Sequence, residues 1–219
     1  MPHPPIRAVC FDLDGLMFNT EHVFFDAGGE LLRRRGKEMT IDVMNVLIGR
    51  RPLESFKALV EHLDLTDDPM ELLAESRVIF DAMLMTRLAP MPGLFTLLDL
   101  IDQRGLPKGV ATSSPRLYLH TVLDRFELRP RFPMTLTAED VTLGKPNPEI
   151  YLKAALALGV KPEEMLVLED SQAGTSAGVA AGAHVVSVPH EFTAAHDFRG
   201  AKHVAQSLSD PYILKLLES

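Results

Sequence analysis

The sequence predicts an α/β fold, a Rossmann-like parallel sheet core with an all-helical cap domain inserted after its first strand. Three observations carry that prediction. From residue 94 onward, short apolar, β-rich runs alternate with helical segments, the pattern of a parallel sheet covered on both faces. Between about residues 19 and 88 helical periodicity is interrupted by no strand signal. Two apolar runs far apart in the chain each lead into acids, Asp12 and Asp14 after the first and Glu169-Asp170 after the second. The expected division is a core of residues 1–18 and 87–219 around a cap of residues 19–86.

The elements follow in order. Ile6-Arg7-Ala8-Val9-Cys10-Phe11 begins a buried strand over 6–12. In the insert, Phe24, Ala27, Gly28 and Leu31 share one helical face. A second face holds Leu53, Phe56, Leu59, Val60 and Leu63, and a third holds Leu72, Ser76, Ile79, Phe80 and Met83. Asp68-Pro69 would start the third helix as N-cap and first residue. Arg33-Arg34-Arg35 marks a helix C-terminal turn, where cations suit the dipole. Pro90-Met91-Pro92-Gly93 is the return linker. A helix over 94–104 ends at Gly105, a strand over 109–112 follows, and then a helix from about 115 to 126. Met134-Thr135-Leu136 is a weaker strand. Asn147 as N-cap and Pro148 at the first position open a helix that stops at Gly159. A strand over 165–168, a small-residue helix over 172–182, a strand over 184–188 and a short strand near 203–205 complete the chain. Gly174, Gly178 and Gly182 recur every fourth residue and read as a close-packing stripe against the sheet.

Composition narrows the class. At 219 residues and 46% hydrophobic, the chain has enough apolar material for a large core. A formal net charge of −8 and no basic run beyond the arginine triplet argue against nucleic acid as a partner. Cys10, the single cysteine, sits inside the first strand, so no disulfide framework is possible and a reducing compartment is implied. No apolar run is long enough to span a bilayer and no secretory signal precedes the first strand. A cytoplasmic monomer without membrane or nucleic-acid partners is expected.

The strand-end residues carry the chemistry. Ionised acids are costly to bury alone. If the two acidic strands are parallel neighbours, Asp12, Asp14, Glu169 and Asp170 converge, and a hard divalent cation with oxygen ligands would relieve their repulsion. Mg²⁺ suits such a site when phosphate is also held there. The alternative is that these acids are solvated caps. Gly15 would let a partner approach closely. Thr112-Ser113-Ser114 closes another strand. It can hold phosphate oxygens, or Ser114 can cap the helix beginning at Pro115, and the cap is the favoured reading. Lys145 stands before a helix N-terminus, the wrong end for a structural cation; it is either a surface lysine that tolerates the small cost or one that the Gly-Pro-rich loop aims at phosphate.

Together, Asp12-Leu13-Asp14-Gly15, Thr112-Ser113-Ser114, Gly144-Lys145-Pro146 and Glu169-Asp170 resemble, in order and spacing, the four motifs of the haloacid dehalogenase superfamily. The helical insert, with Thr20 and Glu21, resembles the cap of its phosphatase and β-phosphoglucomutase branch. The resemblance implies Asp12 as nucleophile and Asp14 as general acid and base, with Thr112, Ser113 and Lys145 on the phosphoryl group. It further implies Mg²⁺ held by Asp12, the Asp14 carbonyl and Asp170, with Glu169 a ligand or just behind. The implied activity is a Mg²⁺-dependent phosphatase acting on a small phosphorylated metabolite, with a sugar phosphate as one candidate. Asp14 separates this from carbon–halogen chemistry, which needs no acid for its leaving group. A β-phosphoglucomutase-like mutase is the alternative, but Phe24 stands where such mutases carry a cap histidine. An inactive binding or regulatory protein is a third reading, opposed by the intact motifs. The resemblance places substrate selection in the cap, with Asn19, Glu21, His22, Arg50 and Arg51 as candidate contacts. The two arginines either meet a second anionic group or face water.

Overall fold

The computed structural model describes residues 4–47 and 52–218. Internal contacts divide the chain into two units, Met1–Phe18 with Pro90–Ser219, and Asn19–Ala89.

The first unit is built on a six-stranded parallel sheet. Its strands are β1 (Ala8–Phe11), β2 (Lys108–Ala111), β3 (Met134–Leu136), β4 (Met165–Glu169), β5 (His184–Ser187) and β6 (His203–Val204), in spatial order β3-β2-β1-β4-β5-β6. β1 is central, pairing with β2 on one side and β4 on the other. All four of its residues are buried, which explains why the first run is continuously apolar instead of alternating. The register sets Phe11 opposite both Val110 and Leu168. The ladder continues one step further, with the Asp12 amide on the Leu168 carbonyl and the Thr112 amide on that of Leu136, both at 3.0 Å. The strands therefore end level, and the residues that follow them share one edge of the sheet.

Helices α5 (Leu94–Gln103), α6 (Arg116–Arg125), α7 (Glu149–Leu158), α8 (Gln172–Ala180) and α9 (Pro211–Glu218) belong to this unit. α7 and α8 cover the face carrying Cys10, Val167 and Val185. Burial raises the Cys10 thiol pKa far above its ordinary value, in keeping with a core residue. α7 starts one residue later than the sequence predicts. Pro148 occupies the cap position, and Asn147 Oδ1 accepts the Glu149 amide at 3.0 Å from one place further out. Gly159 ends the helix at φ +71°. The start of α6 also differs. Its Arg116 amide is taken by the Glu139 carboxylate at 3.1 Å, and Ser114 does not cap it.

The glycine stripe holds for two of its three members. A Cβ on Gly178 would stand 2.7 Å from Val185, and one on Gly174 would overlap the Glu169 carboxylate. Gly182 lies past the end of α8 at φ +82° with nothing within 4 Å, so it serves the turn into β5. Two short helices escaped the periodicity. One is α9, which starts after Asp210 with Oδ1 accepting the Tyr212 amide at 2.8 Å and buries Ile213 and Leu217. The other, α2, lies in the second unit.

That unit consists of α1 (Thr20–Arg33), α2 (Ile41–Leu47), α3 (Pro52–Leu63) and α4 (Pro69–Arg87). Asp68 caps α4 by accepting the Met70 and Glu71 amides at 2.8 and 3.2 Å. Arg34 and Arg35, at the end of α1, share Glu75 of α4, and Arg35 also pairs with Asp67. Asn19 accepts the Ala89 amide at 2.7 Å and donates to the Arg87 carbonyl, joining the two ends of the unit. Phe24 is half-buried with its ring edge-on to Phe80, and the fully buried stripe of α1 runs through Val23, Ala27, Gly28 and Leu31. Among the described residues, no helix is long and apolar enough to cross a membrane.

Candidate active site

Asp12 follows the last residue of β1 and is buried. Its Oδ1 accepts a 2.5 Å hydrogen bond from Lys145 Nζ. The same ammonium donates to Glu169 Oε1 at 2.6 Å and to the Ala111 carbonyl at 3.0 Å, so all three of its protons are used. It also lies 5.1 Å from the Tyr151 ring centroid. Burial alone would lower the Lys145 pKa, but Asp12 and Glu169 more than offset it and hold the lysine charged. Burial pushes the Asp12 carboxyl well above its usual range. Lys145 opposes that shift, while Glu169, Asp170 and Asp14 add to it.

The loop before α7 aims the lysine. Glu149 accepts the Leu143 amide at 2.9 Å and the Thr142 amide at 3.1 Å, and Lys153 pairs with it one turn on. The Asn147 amide closes the loop on the Gly144 carbonyl. Glu169 is fully buried at the end of β4 and is satisfied on both oxygens. Oε1 takes Lys145 and the Tyr151 hydroxyl at 2.6 Å, and Oε2 takes the Ser171 hydroxyl at 3.0 Å.

The four carboxylates do not all converge. Asp12, Glu169 and Asp170 place one oxygen each within 4.8 Å of one another. The Asp14 side chain turns instead toward the loop after β2. Its Oδ2 accepts from Ser114 Oγ at 2.6 Å and Thr112 Oγ1 at 3.3 Å, and its Oδ1 from the Tyr118 hydroxyl at 3.0 Å. The Ser114 hydroxyl is thus committed to Asp14, which overturns the capping assignment. Thr112 is buried while Ser113 is exposed beside it.

Asp170 is buried, and its Oδ2 meets His190 Nε2 at 3.1 Å. The Phe192 amide donates to His190 Nδ1 at 3.3 Å, so Nε2 carries the ring proton and donates to the carboxylate. Gly15, at φ +75°, lies directly beneath this pair. A Cβ there would be 2.5 Å from Asp170 Oδ2 and 2.7 Å from His190 Nε2. The close approach that the glycine permits is therefore made by the protein's own side chains. Asp12, Glu169 and Asp170 offer oxygen ligands, and three carboxylates outnumber the one ammonium of Lys145 among them, which fits a hard divalent cation.

His190, Tyr118 and Tyr151 lie outside the four sequence motifs. His190 follows the end of β5 on the same sheet edge as the other strand-end residues, and that position was its signal. The tyrosines carry none, since their helical positions read equally well as packing. Of the cap residues, Glu21 and His22 lie half-buried in the first turn of α1. Arg50 and Arg51 lie outside the described residues.

Gathered at the carboxyl edge of a parallel sheet, these groups make the chain an α/β enzyme of the hydrolase class. More narrowly, it belongs to the haloacid dehalogenase-like hydrolases, whose family model matches residues 6–182. It is 32% identical over 203 residues to the bifunctional riboflavin kinase/FMN phosphatase of Arabidopsis thaliana; the match takes in 92% of this chain and spans 53% of that protein's length. It is 30% identical over 181 residues to the phosphorylated carbohydrates phosphatase of Thermotoga maritima, covering 81% of this chain and 82% of the relative. The crystal structure of CbbY from Rhodobacter sphaeroides in complex with phosphate superposes with a TM-score of 0.78 at 25% identity, over 98% of this chain and 100% of that one.

Proposed function

We propose that the protein is a Mg²⁺-dependent phosphatase that hydrolyses a small phosphorylated metabolite through an aspartyl-phosphate on Asp12. One observation carries this reading: the two carboxylates of the first motif occupy different environments. Asp12 lies among Lys145, Glu169 and Asp170, whereas Asp14 is held apart by three hydroxyls. Such a division suits a nucleophile and a proton-transfer group within reach of one substrate. The phosphatases and the phosphate-bound structure among the relatives support phosphate as the group transferred.

In this reading Asp12 attacks phosphorus while Asp14 gives a proton to the departing ester oxygen. Water then attacks the phosphoryl group, Asp14 takes a proton from it, and inorganic phosphate leaves as the bond to Asp12 breaks. Thr112 and Ser113 receive the phosphoryl oxygens, and Lys145 lets an anion approach the Asp12 carboxylate. Asp12, Asp170 and the Asp14 carbonyl would hold Mg²⁺, which supplies charge neutralisation between the two anions. Glu169, already saturated with hydrogen bonds, anchors Lys145.

The test is a panel of phosphorylated metabolites assayed for phosphate release, with trapping of the phosphoenzyme. Wild type should require a divalent ion, and Asp12→Asn should form no covalent phosphoenzyme. Activity that survives exhaustive chelation, or a hydroxylamine-sensitive phosphoenzyme in Asp12→Asn, would overturn the proposal.

A further inference from the structure

We propose that Tyr118 is a positioning residue that, with Ser114, fixes the rotation of the Asp14 carboxyl for proton transfer to the leaving group; this rests on the proton-transfer role given to Asp14 above. The χ2 torsion of an aspartate is a broad, two-fold well, so an unrestrained carboxyl sweeps through many orientations. Here each oxygen has its own anchor. The Tyr118 hydroxyl holds Oδ1 at 3.0 Å, and Ser114 Oγ holds Oδ2 at 2.6 Å. Donors on opposite oxygens, with Thr112 Oγ1 a longer third on Oδ2 at 3.3 Å, lock a planar group that donors on one oxygen alone would leave free to pivot.

The anchors are themselves rigid. Ser114 is fixed by its own backbone, since its amide donates to Thr112 Oγ1 at 3.0 Å and its carbonyl accepts the Ala138 amide at 3.2 Å. Tyr118 stands in the first turn of α6, next to Leu119, which is fully buried. The start of that helix is tied down by Glu139, which takes the Arg116 amide. This also explains why α6 needs a cap from elsewhere: the serine that would have capped it serves Asp14 instead.

The consequence is specific to the chemistry. As the Asp12–phosphorus bond forms and the ester bond breaks, the proton moves from the Asp14 carboxyl to the ester oxygen. An alkyl leaving group needs that proton, whereas p-nitrophenolate leaves well without it. Misaiming Asp14 therefore penalises alkyl esters selectively. A tyrosine that merely packs α6 would slow both substrates alike.

The experiment compares kcat/KM for an alkyl phosphate from the active panel with that for p-nitrophenyl phosphate, in wild type, Tyr118→Phe, Ser114→Ala and Asp14→Asn. kcat/KM is chosen because it reports the steps through departure of the leaving group. Tyr118→Phe keeps the ring and removes only the hydroxyl. It should lower the alkyl-to-aryl ratio of kcat/KM about tenfold, a part of the roughly 10²–10⁴-fold that such proton transfer is worth. Ser114→Ala should shift the ratio in the same direction, and Asp14→Asn should shift it most. If Asp14→Asn changes the ratio and Tyr118→Phe does not, the positioning role is wrong while the proposed function stands. If Asp14→Asn leaves the ratio unchanged, the proton-transfer assignment itself fails. A ratio that rises in Tyr118→Phe would show that the hydroxyl restrains Asp14 from its task, and would also overturn the proposal.

Discussion

Replacing Gly174 by alanine tests the buried charge network without touching a charged residue. The new Cβ would lie 1.7 Å from Glu169 Oε1, far inside the 3.0 Å that real contacts respect, so the carboxylate must retreat by more than 1 Å. It has little freedom to do so. Its bonds to Lys145 and Tyr151 are 2.6 Å long, and the Ser171 hydroxyl holds its other oxygen at 3.0 Å. A shift of that size breaks at least two of them. Hydrogen bonds to charged groups contribute about 1.5–3 kcal/mol each, so the loss is about 3 kcal/mol or more. In a chain of this length that corresponds to a melting temperature roughly 6–12 °C lower. Phosphate release should fall as well, because Lys145 loses an anchor that keeps it on Asp12. Gly182→Ala is the control: nothing lies near its Cβ, and only the left-handed backbone costs about 1 kcal/mol. Urea and thermal unfolding of the three proteins, followed by circular dichroism, give the comparison. If Gly174→Ala melts within about 2 °C of wild type and keeps its activity, the network is not the tight constraint described above.

Two further outcomes are expected. His190→Ala removes a donor to Asp170 and should weaken Mg²⁺ binding about 10–100-fold by isothermal titration calorimetry, the usual effect of losing a partner behind a metal ligand. An unchanged affinity would remove His190 from the site. Glu149 is held to a pKa of about 2, first by Lys153 and then by the Leu143 and Thr142 amides. Its folded value is depressed, so its stabilisation is complete above its ordinary value of 4.5 and disappears as pH falls through about 2. The wild-type urea midpoint should therefore drop more steeply than that of Glu149→Gln across this window, and parallel curves would argue against the assignment.

The parts of this protein that were legible in the sequence are those where burial leaves no choice. β1 and β4 are covered on both faces, so they are unbroken apolar runs, and acids at their ends stand out against that background. The paired signals at Asp68-Pro69 and Gly159 were equally plain, because caps act through the adjacent backbone. Ser114 shows the limit of such local logic. Its sequence context is that of a cap, and only the three-dimensional position of Asp14, a hundred residues away, reveals the competing acceptor. Gly182 kept the four-residue spacing of the stripe but lay past the helix end, where spacing carries no packing meaning. His190 was marked only by its place after the end of β5, since a loop has no period against which one polar residue can be noticed. The divergence of Asp14 from the acidic cluster depends on the hydroxyls of Thr112, Ser114 and Tyr118, which lie about a hundred residues away in the chain.

The strand order has a consequence for how the polypeptide is made. Among the strands of this sheet β1 is made before the others, yet its two neighbours come roughly 100 and 160 residues later. At a synthesis rate of about 5–20 residues per second, the second partner emerges some 8–30 seconds after β1. Until β2 emerges Ala8–Phe11 is an apolar segment with both hydrogen-bonding edges open, one edge stays open until β4, and the helices of Asn19–Ala89 appear while it waits. The central strand, made first, is thus enclosed from both sides only when β4 arrives. Until then its open edge invites non-native pairing, and translation products lacking β4 leave that edge bare.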